Sequence, residues 1–124
     1  MSSLGAVAKS YERGLGMLER GEHFAAHEAL EEAWRAAAPP ERDFFQGLVH
    51  VAVAWYQAGR GNRVGCERQL EKALRRLSPY AETHRDLDVA DLLAQVEDAR
   101  GRFPELPPVR PRRLNPPRGS PARD

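Results

Sequence analysis

Phe44-Phe45-Gln46-Gly47-Leu48-Val49-His50-Val51-Ala52-Val53-Ala54-Trp55-Tyr56 is the stretch whose reading decides the fold. At about 100° per residue, Phe44, Leu48, Val51 and Trp55 fall on one helical face, and Phe45, Val49, Ala52 and Tyr56 on the adjoining one. A helix apolar over so much of its circumference has neighbours on more than one side, which makes it the central helix of a bundle. Gln46, His50, Val53 and Gln57 form its remaining stripe. The helix is expected from about 41 to 58, between Pro39-Pro40 and the turn Gly59-Arg60-Gly61-Asn62.

Towards the N-terminus, residues 22–37 read as a second helix closed by the two prolines, and residues 4–20 as a first. In the first, Leu4, Val7, Ala8, Tyr11, Leu15 and Leu18 recur at three- and four-residue steps, the period of a helix that buries one side. Gly14 and Gly16 mark either the close approach of another helix or a weaker helix, and Gly21 ends the segment. Towards the C-terminus, Asn62 is placed to cap a helix over 63–77 that buries Val64, Cys66, Leu70, Ala73, Leu74 and Leu77, stopped by Ser78-Pro79. A connection over 80–87 leads to Asp88, the cap of a fifth helix (89–101) with Val89, Leu92, Leu93 and Val96 inward. Trp34 and Trp55 are expected in the core. The predicted fold is all-α: a five-helix bundle of two antiparallel helical hairpins, a capping helix and an extended Pro-rich C-terminal tail. Residues 1–103 form one helical domain, and residues 104–124 a Pro/Arg-rich extension.

The chain of 124 residues is long enough to bury a core without disulfides or a structural metal. Its net charge of +1 gives no electrostatic reason to expect nucleic acid or a membrane as partner. The total hides a split: residues 103–124 hold five Arg against Glu105 and Asp124, and the preceding body is net −2. With no aromatic beyond Phe103 to stack on bases, the basic tail reads as a strap over the mildly acidic body, on its own chain or on a neighbour. One cysteine, Cys66, excludes an internal disulfide and fits a reducing compartment as a small core residue. No run approaches the ~20 apolar residues of a membrane span, and the N-terminal residues lack the pattern of a secretory signal. A cytoplasmic location is expected. Arg outnumbers Lys 17 to 2, which fits a GC-rich genome or heat adaptation.

Ionisable residues are aligned with an apolar anchor in His27-Glu28-Ala29-Leu30-Glu31-Glu32-Ala33-Trp34. On a helix His27, Glu31 and Trp34 fall within roughly 60° of one another, flanked by Phe24 and Leu30 at the edge of a buried face. A zinc peptidase needs His-Glu-x-x-His, and here Glu31 stands in place of the second histidine. His23, His27 and Glu31, at i, i+4 and i+8, have the spacing of three ligands for a divalent metal, with His50 of the next helix as a fourth. The plainer reading is a buried His27 whose ring nitrogens are satisfied by Glu31 or a Gln. Gln46 and His50 are expected near His27 if the second and third helices pack antiparallel, giving a polar cluster of His27, Glu28, Glu31, Gln46 and His50. There is no nucleophile elbow and no phosphate-cradling loop.

Shifting the chain by 40 positions aligns Arg20, Gly21, Leu30, Glu31, Ala33 and Pro39 with Arg60, Gly61, Leu70, Glu71, Ala73 and Pro79. The pattern looks like tetratricopeptide-type hairpins, with a longer period and only two copies, and the geometry any two helical hairpins share is the favoured explanation. The recurrence of Glu31 as Glu71 favours a salt-bridging role for that glutamate. His27 and Glu28 face Glu67 and Arg68, so they are special to the first hairpin.

Two motifs carry a family resemblance: Gly21-Glu22-His23-Phe24-Ala25-Ala26-His27-Glu28-Ala29-Leu30-Glu31-Glu32-Ala33-Trp34, and Asp43-Phe44-Phe45-Gln46-Gly47-Leu48-Val49 followed by Gly61-Asn62-x-x-Gly65. Over about residues 8–95 the chain resembles the family known as domain of unknown function 309, small all-helical prokaryotic proteins. Its marked positions correspond here to His27, Glu28, Glu31, Trp34, Gln46 and Gly47. His23 stands where an aromatic is expected, and His50 where a Gln is common. The resemblance implies a helical bundle with a polar cluster between the second and third helices, and no activity. The expected function is a non-catalytic interaction or scaffold module, binding a protein partner or a second copy of itself. The alternative is a metal- or small-ligand-binding, hydrolase-like protein centred on His27, Glu28 and Glu31.

Overall fold

The structure, a computed structural model, describes residues 3–115. Five helices follow one another: α1 (Ser3–Glu19), α2 (His23–Ala36), α3 (Pro39–Gly59), α4 (Arg63–Leu77) and α5 (Val89–Ala99). Each of the first four packs chiefly on its sequence neighbours, so α2 and α3 are interior to the stack, and α5 closes it against α4. The expected all-α architecture holds. The prolines that stop α2 also start α3, at the first helical positions, where a missing N–H costs nothing.

The two hairpin turns match bond for bond. Gly21 and Gly61 have φ of 76° and 77°. Their N–H groups donate to Leu18 O and Ala58 O at 3.1 Å, and those of Glu22 and Asn62 donate to Met17 O and Gln57 O at 2.9 Å. This is the Schellman ending, which favours glycine because a residue with a Cβ is strained at positive φ. The equivalence is one of hairpin geometry. Asn62 caps α4 by accepting from Gly65 N–H at 2.9 Å, and Asp88 caps α5 by accepting from Asp91 N–H at 2.9 Å.

The core runs from Val7, Tyr11, Leu15 and Leu18 of α1, through Leu30 and Ala33 of α2 and Phe44, Phe45, Leu48 and Val51 of α3, to Leu70, Leu77, Leu92 and Val96. Gly14 and Gly47 are the points of closest approach. A Cβ on Gly14 would lie 2.6 Å from Leu30, and one on Gly47 would lie 2.6 Å from Leu77. Gly16 has no such neighbour; only the end of the Arg20 side chain comes near.

Leu74 and Leu93, expected inward, are only part-buried, and other apolar positions also differ from expectation. Val64 is 59% exposed and Phe24 51%. Each lies about 200° around its helix from the buried residue two places on, Cys66 or Ala26, so neither faces the core. Ala8 is exposed, and Trp34 is only part-buried, with the Arg42 guanidinium 4.8 Å from its ring centroid.

The connection after α4 is more ordered than a plain link. A 3-10 turn (Ser78–Tyr80) precedes a minimal antiparallel pair, β1 (Thr83–His84) and β2 (Leu87–Asp88). Arg85 and Asp86, both at positive φ (49° and 58°), make the two-residue turn between them, the twist that suits a tight hairpin. The tail, as far as Asn115, lies on its own chain. Pro107 O accepts from Trp55 Nε1 at 2.9 Å. Gln95 clamps Arg110 twice, Nε2 donating to its carbonyl and Oε1 accepting from its N–H, both at 2.8 Å. Val109 is buried, and Arg112 O accepts from Asp88 N–H at 2.9 Å, so the tail adds an edge to β2. Arg113 binds Glu12 and lies 3.6 Å from Glu19, which ties the basic strap to acidic positions of α1. The remainder of the expected strap, residues 116–124, lies outside the described residues.

Candidate functional site

The second and third helices run antiparallel, with Phe24 against Tyr56 (ring centroids 5.2 Å apart) at one end and Trp34 under Arg42 at the other. This register sets His27 beside the C-terminal half of α3. There Phe24, His27, Val53, Tyr56 and Gln57 line a groove of about 210 Å³. The Phe24 ring lies 5.4 Å from the His27 ring and packs over it. His27 Nε2 is 3.5 Å from Glu31 Oε2, the i,i+4 pairing the sequence spacing anticipates, and Glu31 also accepts from Arg35 Nη1 at 2.8 Å. His27 Nδ1 is cut off from solvent and has no hydrogen-bond partner among the described residues. Buried polar nitrogens without partners are uncommon, and the missing bond is a cost to the folded state.

The predicted polar cluster divides between two grooves. Gln46 and His50 do not line the His27 groove. They lie with Asp43, Lys72, Arg75 and Arg76 in a second groove of about 490 Å³, between α3 and α4. His50 comes one turn before Val53 and is rotated about 60° from it, towards α4; its Nδ1 lies 2.7 Å from Gln69 Oε1. With the amide oxygen as acceptor, Nδ1 carries the proton. Burial holds His50 below the usual histidine value, and the charges of Lys72, Arg76 and Arg75 add to the effect. Glu28 is exposed. His23 is part-buried, which lowers its pKa. Among the described residues no three His, Cys, Asp or Glu side chains are close enough to hold a metal, so the expected ligand set of His23, His27 and Glu31 is not assembled. Cys66 is fully buried and burial pushes its thiol up, the condition of an inert core cysteine.

A third polar assembly has no counterpart in the sequence reading. Glu41, at the start of α3, accepts from Arg85 Nε at 2.6 Å and Nη2 at 2.7 Å, and lies 2.8 Å from His84 Nε2. The His84 ring packs on Phe44 (4.6 Å) and Tyr80 (4.9 Å), and Tyr11 donates its hydroxyl to Arg85 O at 3.1 Å. The partners are more than 40 residues apart and share no periodic signal. Only an acidic residue in the first turn of α3 hints at a cation nearby. The assembly pins the β1–β2 turn to the bundle.

No helix among the described residues is long and apolar enough to cross a membrane. Residues 11–69 match the family described as a domain of unknown function (DUF309). The uncharacterized protein YpuF of Bacillus subtilis (strain 168) is 33% identical over 67 residues, which is 53% of this chain and 38% of that protein. The chain thus spans well under two thirds of that relative's length. No solved structure matches it. The family match runs from Tyr11 of α1 to Gln69 of α4 and contains the His27 groove, the Schellman turns and the α3 wall of the second groove. Over residues 11–69, just under half of its length, the chain is thus similar to the DUF309 family of domains of unknown function.

Proposed function

We propose that the domain is a non-catalytic, cytoplasmic interaction module whose α2–α3 groove receives an apolar side chain from a protein partner. The observation that carries this reading is Phe24, an aromatic left 51% exposed at the mouth of a small apolar-walled groove, its ring tilted against Tyr56 and His27. Exposed aromatics beside a concave surface are typical anchors of protein interfaces. Unpartnered His27 Nδ1 beneath the ring supplies one hydrogen-bonding atom once Phe24 turns aside.

The test is a display selection of peptides on the intact chain, with the contact mapped by amide NMR shifts. Selected peptides should carry an apolar anchor, perturb Val53, Tyr56 and Gln57, and lose at least tenfold in affinity in Phe24→Ser at an unchanged melting temperature. Equal binding by Phe24→Ser overturns the reading. Sedimentation of the free chain across a concentration series separates a second copy from a different partner.

A second reading rests on the approach of His27 Nε2 to Glu31 Oε2: a divalent metal or small polar ligand held by these two groups, with exposed Glu28 as the base of a hydrolase-like reaction. Metal analysis of protein purified without chelator decides it. A stoichiometric metal lost in His27→Ala supports that reading, and a metal-free chain that takes up no zinc, manganese or iron removes it.

A further inference from the structure

The α3–α4 groove points to a different ligand and stands apart from the proposal for Phe24. Lys72, Arg75 and Arg76 lie at i, i+3 and i+4 on α4, so all three fall on one face, and each lines the groove. Arg76 is held by Asp43 across the groove, Nη1 to Oδ1 at 2.8 Å. Among the described residues Lys72 and Arg75 have no carboxylate within ion-pair distance. Counting the three cations against Asp43 leaves two positive charges facing a concavity of about 490 Å³, a volume within the ~300–1,000 Å³ of small-molecule sites. The approach of the two helices at Gly47, where a Cβ would lie 3.2 Å from Arg76 Cβ, fixes the base of the Arg76 side chain.

We propose that this groove binds a small hydroxylated phosphate monoester, of the sugar-phosphate kind. Two uncompensated positive charges match the dianion of one phosphate monoester, and Arg and Lys are the side chains that grip phosphate oxygens. Gln46 and Asp43 on the α3 wall provide an amide and a carboxylate for hydroxyl groups. His50, with Nδ1 committed to Gln69, keeps Nε2 for the same ligand. Burial is the main cause that lowers the His50 pKa, and the charges of Lys72, Arg76 and Arg75 add to it, which places all three within electrostatic reach of the imidazole. A nucleic-acid strand fits less well: among the described residues no Phe, Tyr or Trp lines the groove to stack on a base, and the Asp43 carboxylate would oppose a run of phosphates.

The experiment is an amide and imidazole NMR titration of the full chain with ribose 5-phosphate, inorganic phosphate, ribose and a single-stranded oligonucleotide. Ribose 5-phosphate should saturate, shift Gln46, His50 and the Lys72–Arg76 amides, and bind at least tenfold more tightly than inorganic phosphate. The Lys72→Gln/Arg75→Gln double variant, altered only at exposed positions, should lose at least tenfold. Arg13→Gln/Arg20→Gln, which removes the same charge from the other hairpin, should bind as the parent does. Equal losses in the two double variants would mean a general charge effect and overturn the proposal. So would shifts outside the groove, tighter binding of the oligonucleotide, or no saturation.

Discussion

Arg85 grips Glu41 through two nearly parallel hydrogen bonds of 2.6 and 2.7 Å, joining the turn of a two-residue hairpin to the first turn of the central helix. That grip, with a smaller contribution from His84, holds the Glu41 carboxyl at about 2, below its ordinary value of 4.5. A carboxyl with a depressed pKa in the folded state adds stability that is fully present above the unfolded value and disappears as pH falls through the folded one. The contribution should therefore be complete above about pH 4.5 and lost by about pH 2. Partial solvent access reduces its size to roughly 1–2 kcal/mol. Urea unfolding of Glu41→Gln and the parent should differ by that amount at pH 7 and converge near pH 2. A pH-independent difference would show that the ion pair is not its source.

Gly14 and Gly16 occupy the same helix and should respond in opposite directions to alanine. At Gly14 the new methyl meets Leu30 Cγ and Cδ2 at 2.6 Å, inside a closed core. Overpacking of this kind costs about 1–3 kcal/mol, more than the ~1 kcal/mol that alanine adds in helix propensity. At Gly16 the nearest group is Arg20 Nη1 at 3.3 Å, the free end of a flexible side chain. Thermal melts should place Gly14→Ala below the parent and Gly16→Ala above it by up to about 1 kcal/mol. Equal shifts would contradict the close approach of α1 and α2.

The two hairpins were legible because buried residues of a helix recur with its period, and glycine and proline mark its ends. Phase was less legible than period. Phe24 and Val64 have the right chemistry for a core and the wrong angle, which only their buried neighbours Ala26 and Cys66 reveal. The His27–Glu31 pair is local and was foreseen from its spacing. Separating His50 from His27 required knowing that the α3 stripe turns from one neighbour to the other along its length. The β1–β2 turn gave no signal, since Arg85 and Asp86 stand where glycine or asparagine would announce positive φ. The pairing of Arg85 with Glu41 depends on where the chain returns, and no local rule encodes that.

The tail contributes to the core through Val109 and to hydrogen bonding through Pro107. Val109→Ala removes two methyl-sized groups from a site 2% exposed, and should cost about 1.5–2 kcal/mol. Trp55→Phe leaves Pro107 O without the indole N–H that reaches it at 2.9 Å, and should cost about 1 kcal/mol. Both variants should also quicken tryptic cleavage after Arg112 and Arg113, read by mass spectrometry. Cleavage at the parent rate would mean that the strap is not held by these contacts.

Asn62 and Gly65 form a single capping unit. The Asn62 side chain accepts from Gly65 N–H at 2.9 Å, and a Cβ on Gly65 would lie 2.6 Å from Asn62 Nδ2. A side chain at the third helical position would displace the Asn62 amide from its present rotamer, which gives the Gly61-Asn62-x-x-Gly65 pattern a physical cause. Asn62→Ala should cost about 1 kcal/mol by removing the cap. Gly65→Ala sets a propensity gain of up to about 1 kcal/mol against a displaced cap, so its net effect should be near zero. In the Asn62→Ala background the displaced cap no longer matters, and Gly65→Ala should stabilise the chain outright. A double-mutant cycle by urea unfolding should return a coupling of about 1 kcal/mol between the two positions. Additive effects would show that the asparagine and the glycine act independently.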